Sequence, residues 1–282
     1  DPILRLSRTL TELGVDHTSI DDVLSEARRA SPMIVYGVNP VLEALRADRV
    51  REVRVGGRGG GRVPEVVALA GERGVLVRRV PEQTLERDSL HGVHQGVVAD
   101  LKAAPSYGVD DLVLGAEGPP LLIVLDGIED PHNLGAILRT ADAAGVHGVV
   151  RQTRRAAALG GAAAKASAGA VVHVKIADVV NVARALEELK ALGVWTVGLV
   201  AEAATRYDAI DFTGPAAIVL GGEGQGLRRL VRERCDFLAA IPMRGHVNSL
   251  NVSVAAGVAL FEAVRQRGSV GLGSGVPTGQ AE

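Results

Sequence analysis

A chain of 282 residues, 47% of them hydrophobic, holds enough apolar material for one large or two modest domains, which excludes disorder throughout. Aromatic residues make up only 2%, so any binding to RNA would rest on backbone and shape contacts rather than on base-stacking platforms. The formal net charge of −2 is near balance, with the acid excess carried by the ends of the chain and a central linker.

In residues 1–30, Ile20, Val23, Leu24 and Ala27 fall at helical spacing with no strand partner nearby, which predicts an appendage. A small α/β domain over 31–104 follows. Its predicted strands are Met33–Tyr36, Glu52–Val55, Val75–Val80 and Gly96–Leu101, and Asn39-Pro40 reads as a cap and first position of a helix. Pro64–Arg73 reads as a second helix and Pro81–Leu85 as a helical turn. Gly56–Gly61 is a glycine-rich turn carrying Arg58, with Arg62 directly after it. Residues 105–120 mix Pro, Gly, Ser and acids without periodicity, the composition of a linker with at most one helical turn.

Beyond the linker, strands and helices alternate over 121–267. Strands are expected at Leu121–Leu125, Gly148–Val150, Val171–Ile176, Val194–Leu199, Ala216–Leu220 and Leu238–Ile241. Helices are expected at Asn133–Ala144, Val179–Leu192, Leu227–Arg234 and Val252–Arg265, so a mostly parallel α/β sheet is predicted. The tail over 268–282 is rich in Gly, Ser and Pro and is expected to be disordered. Cys235 is alone, which rules out an intrachain disulfide and suits a reducing interior, with the thiol a small buried group. Asp1–Thr9 lacks a long apolar core and no run reaches membrane-spanning length, so a cytoplasmic protein without membrane attachment is expected.

Three polar clusters follow or interrupt apolar strands: Asp130-Pro131-His132-Asn133 with Arg139, then Gly221-Gly222-Glu223-Gly224-Gln225-Gly226, then Asn248-Ser249-Leu250-Asn251. Loops at strand ends of an α/β sheet are where ligands bind, so the three are expected to converge. Asn133 could also cap its helix, Ser249 or Asn251 could cap the next, and Arg139 could be an ordinary surface cation beside Ala136 and Ala143. The glycine cluster departs from the dinucleotide fingerprint in spacing and position, yet its glycines permit close approach of backbone to a ligand beside Glu223. Together the clusters offer amides, a hydroxyl, a carboxylate and a guanidinium, equipment for orienting a hydroxyl and a cationic cofactor. His91 and His94 have no third ligand, and no metal is expected.

The segments Leu125–Val146, Leu220–Leu227 and Ile241–Ser253 resemble, in order, the three motifs of the SpoU (TrmH) family of RNA ribose 2′-O-methyltransferases. Tyr36–Leu45, His94–Ala99 and Phe261–Arg267 resemble its RlmB-like subgroup, which methylates a guanosine in the peptidyl-transferase loop of 23S rRNA, and the likeness spans residues 33–267. This resemblance implies a SPOUT-type domain with a deep trefoil knot, S-adenosylmethionine (AdoMet) as cofactor, and a homodimer with the site at the subunit interface. It also implies cofactor contacts by Leu220, Gly221, Gly222, Ile241, Met243 and Leu250, and a polar catalytic set of Asn133, Arg139, Glu223, Ser249 and Asn251. The small domain is then expected to bind rRNA, with Arg46, Arg54, Arg58 and Arg62 on phosphates.

Rival readings are weaker. A hydrolase built on Ser249, His132 and Asp126 or Asp130 lacks the G-x-S-x-G elbow. A noncatalytic RNA-binding module would not need all three polar loops. Within the family, a transfer-RNA methylase or a resistance-type rRNA methylase is the alternative, and residues 149–160 depart from the run expected of the RlmB-like subgroup.

Overall fold

The computed structural model describes residues 33–57, 61–154 and 156–271; the predicted appendage, Arg58 and the tail past 271 lie outside them. The chain divides into two compact units, one of residues up to Pro105 with Ala158–Val172, the other of Ser106–Ala157 and the chain from His173 onward.

In the first unit a four-stranded sheet has the order β1-β4-β2-β3, where β1 is Ile34–Tyr36, β2 Val50–Val55, β3 Leu76–Arg79 and β4 Val97–Leu101. β4 runs antiparallel to both its neighbours and is buried along its whole length. Helices α1 (Val38–Arg46), α2 (Val63–Glu72) and α3 (Glu82–Asp88) complete the βα pattern. The α1 start differs from the expected Asn39 cap. Gly37, at φ +90°, precedes the helix, the N–H of Val38 donates to Gln95 Oε1 at 3.0 Å, and Asn39 accepts from Arg62 instead. Residues 158–172, expected inside the 121–267 block, pack in this unit: α6 (Ala162–Ala166) and a 3-10 turn at Ala170–Val172 lie against α1 and β1. The N–H of Gly161 donates to Ile34 O at 2.8 Å.

The second unit is a seven-stranded sheet ordered β7-β6-β5-β10-β8-β11-β9, every neighbouring pair parallel. The strands are β5 (Leu121–Asp126), β6 (Gly148–Gln152), β7 (Ile176–Val179), β8 (Trp195–Leu199), β9 (Thr205–Arg206), β10 (Ala216–Gly221) and β11 (Phe237–Ala240). All six residues of β5 are buried, as a central parallel strand covered on both faces requires. Around the sheet lie α4 (Val109–Leu114), α5 (Pro131–Ala143), α7 (Val182–Ala191), α8 (Arg229–Arg234) and α9 (Val252–Gly271).

Four details correct the sequence reading. The supposed linker contains α4, whose Val109 and Leu112 are buried in the same apolar cluster as Leu122, Val124 and Leu186. β7 begins at Ile176, and Val171 and Val172, read as its start, belong to the 3-10 turn. α9 continues to Gly271, into the stretch expected to be disordered. Cys235 is half-buried rather than buried; its thiol donates to Val231 O at 3.3 Å, and burial above all pushes it up to about 12. Among the described residues no helix is long and apolar enough to cross a membrane.

One side chain fastens the end of α9. The Arg267 guanidinium donates to Phe212 O at 2.8 Å, Pro119 O at 2.7 Å, Gly214 O at 2.7 Å and Pro120 O at 3.1 Å. Four carbonyls from two turns thereby share one cation, and burial lowers its affinity for its proton. Hydrogen bonds to charged groups contribute about 1.5–3 kcal/mol, so Arg267→Ala is expected to cost about 2–4 kcal/mol in urea denaturation. Arg267→Lys, which loses the planar fork but keeps the charge, should recover less than half of that.

Candidate functional site

The order of the second sheet reverses between β5 and β10, whose registers place Gly221 beside Asp126 at the carboxyl ends of the two strands. Such switch points are where open α/β sheets bind ligands. The two strand ends are tied together: Gly222 N–H donates to Asp126 O at 2.9 Å. The fully buried Asp126 carboxylate accepts from Arg228 N–H at 2.9 Å and from Arg228 Nε at 2.7 Å. Arg228 also donates to the buried Gln152 Oε1 at 2.5 Å. The loop 222–228 is thus held at both ends by one aspartate.

Glycine is required where this loop folds back. A Cβ on Gly221 would lie 2.1 Å from the carbonyl carbon of Gly226, and one on Gly222 would lie 2.3 Å from Gly127 O. Those distances are inside any van der Waals contact.

The first polar loop opens α5. Asp130, not Asn133, caps this helix: its carboxylate accepts from His132 N at 3.1 Å and Asn133 N at 3.3 Å, with Pro131 at the first position. Its hydrogen bond from the His132 backbone, foremost, holds the Asp130 carboxyl below its ordinary range. The buried Asn133 side chain is therefore free to bridge. Its Nδ2 donates to Glu223 Oε1, and its Oδ1 accepts from Asn251 Nδ2 at 2.9 Å. Asn251 also starts α9, its Oδ1 accepting from Ser253 N at 2.9 Å and Ser253 Oγ at 2.6 Å. One bridge therefore joins all three polar clusters.

A cleft of about 660 Å³ opens beside this bridge. Of the residues expected to hold cofactor, Leu220, Gly221, Gly222, Ile241, Met243 and Leu250 all line it, as do Glu223, Ser249 and Asn251 of the expected catalytic set. Leu199, Glu202 and Arg232 line it too and were not singled out from the sequence; Leu199 ends β8 and Glu202 follows it without a polar motif, and Arg232 sits in an ordinary helical pattern. Arg139 stands apart. It is exposed on α5, does not line the cleft, and makes no hydrogen bond or ion pair among the described residues, so it is not in contact with Asn133, whose amide is taken by Glu223 and Asn251.

The arginines expected on RNA phosphates are differently placed. Arg54 is largely buried between Asp88 and Asp100, a central-strand ion triad rather than a surface cation. Arg46 pairs with Glu43 and, at 3.9 Å, with Glu65. Arg62 forks onto Glu65 at 2.8 and 3.0 Å, and that hydrogen bond raises its proton affinity.

Residues 120–261 match the family model described as the SpoU rRNA Methylase family. The chain belongs to this family. Residues 34–107 match the family model described as RNA 2′-O ribose methyltransferase substrate binding. Among curated relatives, the 23S rRNA (guanosine-2′-O-)-methyltransferase RlmB of Pseudomonas syringae pv. tomato is 47% identical over 239 residues, covering 83% of this chain and 95% of the relative. The putative TrmH family tRNA/rRNA methyltransferase YacO of Bacillus subtilis is 45% identical over 246 residues, covering 84% and 97%. Of solved structures, the SpoU methyltransferase AviRb from Streptomyces viridochromogenes in complex with AdoMet is similar with a TM-score of 0.73 at 26% identity, covering 86% of this chain and 93% of that one. As a SpoU methylase the chain uses AdoMet, and the cleft lined by the glycine loop, whose fold-back onto Gly226 and Gly127 leaves no room for a Cβ at Gly221 or Gly222, has the volume such a cofactor needs.

Two outcomes follow from this geometry. Gly221→Ala should lower AdoMet affinity at least tenfold in calorimetric titration, because the loop cannot close over the new methyl group. Asp130→Ala should cost about 1 kcal/mol of stability at neutral pH. Because the folded carboxyl lies below its unfolded value, that contribution is complete above the ordinary carboxylate range and disappears as pH falls through the lowered value, so urea midpoints of variant and wild type should converge in acid.

Proposed function

We propose that this protein transfers the methyl group of AdoMet to the ribose 2′-hydroxyl of a guanosine in 23S rRNA. The observation that carries this reading is the bridge from Asn133 to Glu223 and Asn251, which draws three remote polar loops to one glycine-floored cleft. The substrate assignment is supported by the match of residues 34–107 to an RNA-binding domain and by the RlmB relatives, whose whole length this chain nearly covers.

AdoMet supplies an electrophilic methyl group on its sulfonium. The 2′-hydroxyl is a poor nucleophile whose proton must pass to water as its oxygen attacks in line, so the protein's tasks are positioning and stabilisation of the charge developing on that oxygen. In this reading Ser249 and Asn251 orient the ribose, Glu223 is fixed by Asn133 and holds the glycine loop, and Leu220, Ile241, Met243 and Leu250 wall the cofactor. Arg139 holds the phosphate 3′ to the target and polarises the hydroxyl.

Arg139 lies outside its own chain's cleft, and a homodimer would bring the partner copy's guanidinium to the site. α9 supports such an assembly: Val254 and Phe261, seven residues apart and so on one face, are each about half exposed. A knotted passage of the glycine loop and the α9 entry, with a cytoplasmic setting, belongs to the same proposal. So does an RNA-facing role for the small domain, where Arg46 and Arg62 would have to exchange carboxylate partners for phosphates.

Arg139→Ala should abolish methyl transfer while leaving AdoMet affinity within a few fold; equal loss of both would refute the assignment. Mixed with Asn251→Ala, each inactive alone, it should regain part of the activity through hybrid dimers carrying one intact site, and no recovery on subunit exchange would contradict the trans arrangement. Mapping 2′-O-methylation on 23S rRNA from cells with and without the protein tests the substrate: one guanosine should lose its mark.

A further inference from the structure

Arg232 is a cation in the cofactor cleft to which neither the motifs nor the loop geometry gives a task. It lies on α8, one turn after Arg228, and lines the same cleft as the glycine loop and Ser249–Asn251. Its neighbours are engaged: Arg228 with Asp126, Arg229 with Glu233 at 3.2 Å and Arg234 with Glu187 at 3.0 Å. The Arg232 side chain is exposed and forms no hydrogen bond or ion pair among the described residues. The other charged groups lining the cleft are both carboxylates, Glu202 and Glu223, and Glu223 is occupied by Asn133.

AdoMet carries a carboxylate beside its ammonium and sulfonium groups. A carboxylate entering a cleft lined by two others is repelled unless a donor meets it, and a guanidinium meets it with a two-pronged, charge-assisted fork. We propose that Arg232 binds the α-carboxylate of the methionine end of AdoMet, and so fixes which end of the cofactor faces α8. The proposal rests on this cleft being the cofactor site. Glu202, which no side chain neutralises among the described residues, is left for the cationic part of the same amino-acid group.

The test is calorimetric titration of wild type, Arg232→Gln and Arg232→Lys with AdoMet, with S-adenosylhomocysteine and with decarboxylated AdoMet, thermal melting serving to check that each variant folds. Arg232→Gln should weaken the first two ligands roughly 10- to 100-fold and leave the decarboxylated one within about twofold, as expected for loss of a charge-assisted hydrogen-bonded pair. Arg232→Lys should recover part of the loss. Equal weakening of all three ligands would overturn the proposal. So would unchanged AdoMet affinity with a raised KM for RNA and a salt dependence shallower by about one unit, which would assign Arg232 to a phosphate of the substrate. Gly221→Ala separates the two levels: if it too leaves AdoMet binding intact, the cleft itself is wrong, whereas if it alone removes binding, only the arginine assignment falls.

Discussion

A single carboxamide, that of Asn133, holds the polar arrangement together. It donates to Glu223, 90 residues away in the chain, and accepts from Asn251, 118 residues away. A buried amide can do both at once because it carries a donor and an acceptor on one rigid plane; an aspartate could not donate to Glu223, and a leucine would offer neither Glu223 nor Asn251 a partner. The bridge depends in turn on Asp130 taking over the helix cap, which frees Asn133 from the role that its position would otherwise give it.

Beneath that bridge lies a second constraint. Asp126, at the end of the most deeply buried strand, fixes both ends of the glycine loop, by its carbonyl to Gly222 and by its carboxylate to Arg228. The loop can fold back on itself and against Gly127 because Gly221 and Gly222 carry no side chain into space already filled by backbone. The pairing of β10 with β5 sets this distance: in-register parallel neighbours place Gly221 opposite Asp126, and the reversal of strand order leaves the crevice above them open. Fold and site are thus linked by one ladder, with the polar loops as its continuation.

Much of this was legible in the sequence. The long apolar strands declared themselves because β5 and β10 are buried on both faces, and the three clusters stood out because polar residues at strand ends are rarely needed for packing. Less was legible where local pattern and tertiary contact disagree. Val171 and Val172 have strand propensity, yet they sit in a 3-10 turn packed in the first unit. Val109 and Leu112 are too few to show periodicity, and only the sheet they cover makes α4 part of the core. Arg54 looks like a surface cation until Asp88 and Asp100, 34 and 46 residues away, are seen on either side of it. Asn39 was read as a cap and Asn133 offered the same role as an alternative, but in each case another residue precedes the helix and the amide pairs with a residue distant in sequence.

Three sequence-remote loops form one cofactor pocket through Asn133. Hydrogen exchange followed by mass spectrometry, with and without S-adenosylhomocysteine, examines that most directly. Protection should rise together in residues 130–135, 221–228 and 241–251, and in Asn133→Ala the ligand should no longer protect 130–135. Protection confined to one of the three segments, or unchanged by Asn133→Ala, would contradict a shared pocket.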